Sequence, residues 1–98
     1  MTDSPVALIT GASRGIGRAI ALALAAEGFD IAGTARGPRG AARPHALDEA
    51  GELVVGRGRR WLTIETDVAD LAGHAGVFER IDEAFGRLDL FVSNAGVA

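Results

Sequence analysis

Thr10-Gly-Ala-Ser-Arg-Gly-Ile-Gly17 sets glycines at positions 11, 15 and 17 between an apolar run and a stretch of helical periodicity. Before it, Val6-Ala-Leu-Ile9 is apolar with β-branched ends and follows Pro5, the pattern of a buried strand. After it, Ile16, Ile20 and Leu24 recur every four residues among alanines, which predicts a helix with that apolar stripe, and Gly28 falls where a left-handed C-terminal cap belongs. Strand, glycine turn and helix in this order give each glycine a task. Gly11 permits a tight exit from the strand, Gly15 lets the backbone approach a pyrophosphate, and Gly17 lets helix and sheet pack closely. A phosphate would sit over free amides at the helix N-terminus, where the dipole adds only about 0.3–1 kcal/mol and directed hydrogen bonds carry most of the recognition. A merely flexible turn is the plainer reading, and the strand and helix on either side tell against it.

Working outward, Ile31-Ala-Gly-Thr-Ala35 suits a second strand, although its glycine and alanines are weak strand formers. Residues 37–44 read as loop, and a helix from Pro44 to about Val55 is expected, interrupted by Gly51 and ended by Gly56-Arg-Gly-Arg-Arg60. Trp61-Leu-Thr-Ile-Glu65 alternates as a third strand, and Asp70 is placed to cap a following helix. Val77, Ile81, Phe85 and Leu88 give that helix an apolar stripe, with Glu79, Asp82 and Glu83 mostly off it. Gly86 should stop it, and residues 88–92 form a fourth strand. The order β-α-β-α-β-α-β with short connections argues for an α/β fold, a parallel sheet covered by helices on both faces and doubly wound.

The 98 residues suffice for one small domain. A hydrophobic content of 48% with 23% charged residues is that of a folded chain. The net charge is -3 and all 10 cations are arginine, so no general basic field exists for nucleic acid or anionic membrane, while a locally held small anion is compatible with it. Cysteine is absent, which removes disulfides and thiolate chemistry. The polar start and the lack of a long apolar run predict neither signal peptide nor membrane span, so a cytoplasmic protein is the default expectation. Arg57, Arg59 and Arg60 read as a solvated loop rather than a phosphate patch, and His45 and His74 as surface residues. Glu65 and Asp67 share a strand face, a weak acid/base pair.

The chain resembles the short-chain dehydrogenase/reductase family, whose members carry Thr-Gly-x-x-x-Gly-x-Gly, an Asp-Val after the third strand and Asn-Asn-Ala-Gly after the fourth. Here these are Thr10 to Gly17, Asp67-Val68 and Ser93-Asn-Ala-Gly96, in the right order. The resemblance implies a Rossmann-type sheet, of which residues 1–98 would be the N-terminal part of a single dinucleotide-binding domain, the first four strands with three helices. It implies that Gly11, Ser13, Arg14, Gly15, Ile16 and Gly17 line the phosphates and that Asp67 accepts from the adenine amino group beside Val68. Asn94, Ala95 and Gly96 would approach the nicotinamide-side ribose, with Ser93 standing where the family usually has a second asparagine. Ala35 occupies the place of the acidic residue of many NAD sites, and Arg36 follows it. Arg14 and Arg36 could converge on a 2′-phosphate, so NADP(H) is favoured and NAD(H) is the alternative. The branch most resembled is the β-ketoacyl-acyl carrier protein reductase type.

In that family a tyrosine, a lysine four positions later and a serine perform hydride transfer with the nicotinamide, on a carbonyl or alcohol substrate, in a homo-oligomer that is a dimer or tetramer. This sequence has no tyrosine and no lysine. Ser13 and Ser93 belong to the binding motifs, so no catalytic residue is assigned. The favoured expectation is the cofactor-binding portion of a longer oxidoreductase, inactive by itself. A non-catalytic nucleotide-binding or regulatory module and a non-functional remnant are the alternatives.

Overall fold

A computed structural model describes residues 4–12, 15–35, 46–65 and 71–93. Strand β1 (Val6–Thr10) leads through helix α1 (Gly15–Ala26) to β2 (Asp30–Ala35), then α2 (Ala46–Gly56), β3 (Trp61–Glu65), α3 (Leu71–Phe85) and β4 (Leu90–Val92). All the pairings are parallel and the strand order is β3-β2-β1-β4. The expected alternation is present. The predicted bounds shift by one or two residues in β1, β2 and α2. The fourth strand starts at Leu90 rather than Leu88 because Asp89 is used differently: its amide donates to Val6 O at 2.9 Å and its carboxylate accepts from Val6 N at 2.8 Å.

Alternate residues of β1 point to opposite faces. Ala7 and Ile9 pack with Ala21 and Ala25 of α1, Ile31 of β2 and Val54 of α2, so α1 and α2 cover one face. Val6 and Leu8 pack with Ala32, Ile64 and the α3 residues Val77, Ile81 and Phe85, so α3 covers the other. Leu88 lies past the helix end, partly buried against this second cluster. Glu79, Asp82 and Glu83 are exposed, as expected of the outer face of α3.

Helix α1 departs from its predicted stripe. It buries Gly17, Ala21 and Ala25, whereas Ile16 is 71% exposed and Ile20 and Leu24 are only partly buried. The buried row is one residue, about 100°, round from the expected one. Small side chains bring the helix close to the sheet, and the larger aliphatics then pack along the rim. Its C-terminus closes as a Schellman motif around Gly28 (φ 98°), with Phe29 N donating to Leu24 O at 3.0 Å and Gly28 N to Ala25 O at 3.0 Å.

Gly51 does not interrupt α2. It is buried against Trp61, and a Cβ there would lie 2.5 Å from the indole Cδ1 and Nε1. A Cβ on Gly33 of β2 would likewise collide with the indole, nearest to Cη2. The two glycines are the walls of a slot for one tryptophan.

The arginines that follow α2 are not a uniformly solvated loop. Asp30, 2% exposed, accepts from Arg60 N at 2.8 Å and Arg60 Nε at 3.0 Å, and the Arg60 guanidinium lies 4.6 Å from the Phe85 ring centroid. Arg59 Nη1 donates to Gly28 O at 2.8 Å and to Ser4 Oγ at 3.1 Å, while Arg57 is exposed. A buried carboxylate at a strand start needs such partners, and the short chain after α2 supplies them. This clasp joins the N-terminal ends of β2 and β3 and leaves the opposite edge of the sheet for the site.

Candidate functional site

Helices α1 and α2 carry the chain from β1 to β2 to β3 along one face, and α3 brings it back across the other face to β4, on the far side of β1. The strand order therefore reverses between β1 and β4. In open parallel sheets the ligand crevice lies off the C-terminal ends of the strands at this point. The glycine turn leaves β1 there.

Gly11 has φ 67° and Gly15 has φ 59°, a left-handed backbone that side chains other than glycine rarely adopt. A Cβ on Gly15 would meet nothing within 4 Å, so the space over this backbone is open to an incoming group. Gly17, two residues further on, is buried. Ile16 stands exposed at the mouth of α1, whose first turn carries no acidic residue to neutralise its positive end. The turn is also tied sideways: Ala12 N donates to Thr34 O of β2 at 2.9 Å. These features fit a pyrophosphate-bearing ligand lying over the turn.

Of the residues singled out from the sequence, Gly11, Gly15, Ile16 and Gly17 come together at this crevice. Ser13, Arg14, Arg36, Asp67, Val68, Asn94, Ala95 and Gly96 lie outside the described residues. So do Asp70 and His45. The chain nevertheless leaves the sheet after Ala35, Glu65 and Val92 at the same edge, because all the strands are parallel. Among the described residues no group of histidine, cysteine or carboxylate side chains could hold a metal, and no helix is long and apolar enough to cross a membrane.

At the C-terminal ends of the strands, Thr10 opens the glycine motif, while Thr34 escaped sequence reasoning. Thr10 and Thr34 are paired in register and buried at the ends of β1 and β2. Thr10 Oγ1 reaches Val92 O at 3.5 Å. Thr34 Oγ1 has no hydrogen-bond partner among the described residues. Threonine is an ordinary strand residue, so nothing in the local pattern marks Thr34.

Residues 5–98 match the family model for short chain dehydrogenase. The chain is 41% identical over 95 residues to the 3-oxoacyl-[acyl-carrier-protein] reductase FabG of Escherichia coli (strain K12), covering 97% of this chain and 35% of that protein. A short chain dehydrogenase from Mycobacterium paratuberculosis bound to NAD superposes with a TM-score of 0.85 at 40% identity, over 96% of this chain and 37% of that one. L-Sorbose reductase from Gluconobacter frateurii, complexed with NADPH and L-sorbose, gives a TM-score of 0.83 at 40% identity, over 96% and 34%. The chain spans about a third of the length of the curated relatives it matches. With the sheet order, the glycine turn and these likenesses in agreement, the chain belongs to the short-chain dehydrogenase family.

Proposed function

We propose that residues 1–98 are the N-terminal, cofactor-binding part of a single dinucleotide-binding domain in an NADP-dependent short-chain oxidoreductase. The observation that carries this is the turn at the switch point, with left-handed Gly11 and Gly15 and open space above Gly15. When bound, the nicotinamide supplies the hydride exchanged with a carbonyl or alcohol substrate. The chain's own task is to bind and orient. Backbone amides at the start of α1 hold the pyrophosphate, and Ile16 covers it. Asp67 and Val68 hold the adenine, and Asn94, Ala95 and Gly96 hold the nicotinamide-side ribose. Similarity to FabG favours a 3-oxoacyl thioester as substrate, and similarity to the L-sorbose reductase keeps sugar ketones beside it.

The NADP preference rests on charge. Ala35 ends β2 without the carboxylate that would repel a 2′-phosphate, and Arg36 follows it. Ala12, two residues before Arg14, is hydrogen bonded to Thr34, two residues before Arg36, so the backbone leading to each arginine is tied to the other. A charge-assisted hydrogen bond contributes about 1.5–3 kcal/mol, enough for tenfold discrimination or more. Dissociation constants for NADP and NAD test the reading. NADP should bind at least tenfold tighter, and Arg36→Ala should remove most of that margin with little effect on NAD. Equal or tighter binding of NAD by the unaltered protein refutes the preference.

A further inference from the structure

We infer that Thr34 is a positioning residue for the adenosine end of the nucleotide, its buried hydroxyl reserved for a hydrogen bond made in the bound state. The inference rests on the nucleotide-binding reading above and adds to it a residue that the glycine turn does not contain.

Thr34 is fully buried, and its Oγ1 has no partner among the described residues. Along its face of β2, the next residue inward is Ala32, and across the sheet it pairs with Ile64, both members of the apolar cluster under α3. A hydroxyl in such surroundings destabilises the free protein, because it has given up water and received nothing in return. Valine has the same shape without that cost. The neighbouring threonine shows the contrast, since Thr10 spends its hydroxyl on Val92 O at the end of β4.

Position supplies the reason for retaining the group. Thr34 is one residue from the end of β2, the strand end that receives the adenosine ribose in this class of sheet. Its own carbonyl accepts the Ala12 amide at 2.9 Å, so the hydroxyl is held in fixed relation to the glycine turn. With a ribose seated above β2, one water taken in with the ligand would bridge a ribose oxygen to Oγ1, which solvent does not reach in the free protein. Bridging waters of this kind are nearly as favourable as direct hydrogen bonds. The hydroxyl thereby sets the height and lateral position of the adenosine relative to the phosphates.

The test uses Thr34→Val and Thr34→Ser, with the thermal midpoint of the ligand-free protein and the dissociation constants of NADP and adenosine 2′,5′-bisphosphate as readouts. Thr34→Val should keep or raise the midpoint while weakening both ligands about three- to tenfold, the range of a neutral hydrogen bond. Thr34→Ser should bind within about twofold of the unaltered protein. A purely structural role would move the midpoint and not the affinities. The inference is overturned if Thr34→Val binds both ligands as tightly as the unaltered protein does. It is also overturned if that variant is less stable or fails to fold, because the hydroxyl would then have work in the free protein. If the unaltered protein binds neither ligand, the nucleotide reading itself fails and takes this inference with it.

Discussion

Trp61 enters a slot cut into two different elements, Gly33 in β2 and Gly51 in α2, and donates from Nε1 to Thr63 Oγ1 at 2.7 Å. From the sequence both glycines look like weaknesses, since each lowers the propensity of its own element. The structure makes them conditions for burying an indole between helix and sheet. This can be tested through a sign reversal. In a helix interior Gly51→Ala gains about 1 kcal/mol from propensity alone. With Trp61 in place the new methyl collides with the ring, so a net loss of about 1–3 kcal/mol is expected. In a Trp61→Leu background the same substitution should become stabilising, and urea unfolding of the four proteins of this cycle measures the coupling. Asp89 offers a second residue-level test, through pH. The Arg87 guanidinium, at 2.7 and 2.8 Å, and the Val6 amide hold its carboxyl below the ordinary value of 3.8. A folded pKa below the unfolded one contributes stability above that ordinary value, and the contribution disappears as pH falls through the folded pKa. Asp89→Asn should therefore be less stable than the unaltered protein at pH 7, with the gap closing in acid below the ordinary value.

The helices dock by two different means, and the difference governs what each tolerates. Helix α1 lies close to β1 on Gly17, Ala21 and Ala25, whereas α3 stands on larger side chains, Val77, Ile81 and Phe85. Enlarging the first contact should therefore be damaging, as emptying the second is. Ala21→Leu is expected to cost about 1–3 kcal/mol by overpacking and Ile81→Ala about 2–5 kcal/mol by leaving a cavity, both read from urea midpoints. Ile16→Ala, at an exposed position, should stay within about 0.5 kcal/mol. The two edge strands differ as well. On β3, Arg80 Nη2 donates to Thr63 O at 3.2 Å, placing a charged side chain against that edge. On β4, Leu90 and Phe91 are exposed, and the Phe91 ring meets exposed Phe78 edge to face at 6.1 Å between centroids. An uncharged apolar edge promotes strand pairing. Copies of the 98-residue chain should therefore associate with rising concentration, and Phe91→Lys should reduce that association in sedimentation equilibrium.

At the scale of the molecule, the alternation of strands and helices was legible because each apolar run ended at a glycine or polar turn. Crossover handedness made a doubly wound sheet the expected architecture, whereas the strand order, with its reversal between β1 and β4, emerges only from the folded structure. The face of α1 was not legible, because alanines and isoleucines leave both candidate stripes apolar and only the docked sheet chooses between them. Nor was the pairing of Asp30 with Arg60, which joins two strand starts distant in sequence. In the site, glycine spacing announced the turn, while the orphaned hydroxyl of Thr34 depends on what surrounds it and leaves no local trace. Composition makes the strongest functional statement. Reducing a carbonyl by hydride transfer requires a proton for the developing alkoxide, and a positioned acid contributes about 10²–10⁴-fold to such a step. The chain contains neither tyrosine nor lysine, and among the acidic side chains Glu79, Asp82 and Glu83 lie exposed on α3. Binding and turnover should therefore separate: titration should show NADPH bound, while nicotinamide absorbance stays constant when a 3-oxoacyl thioester or ketose is added. Substrate-dependent loss of that absorbance would mean that a proton donor exists within these 98 residues, and the reading of the chain as a binding portion alone would have to be abandoned.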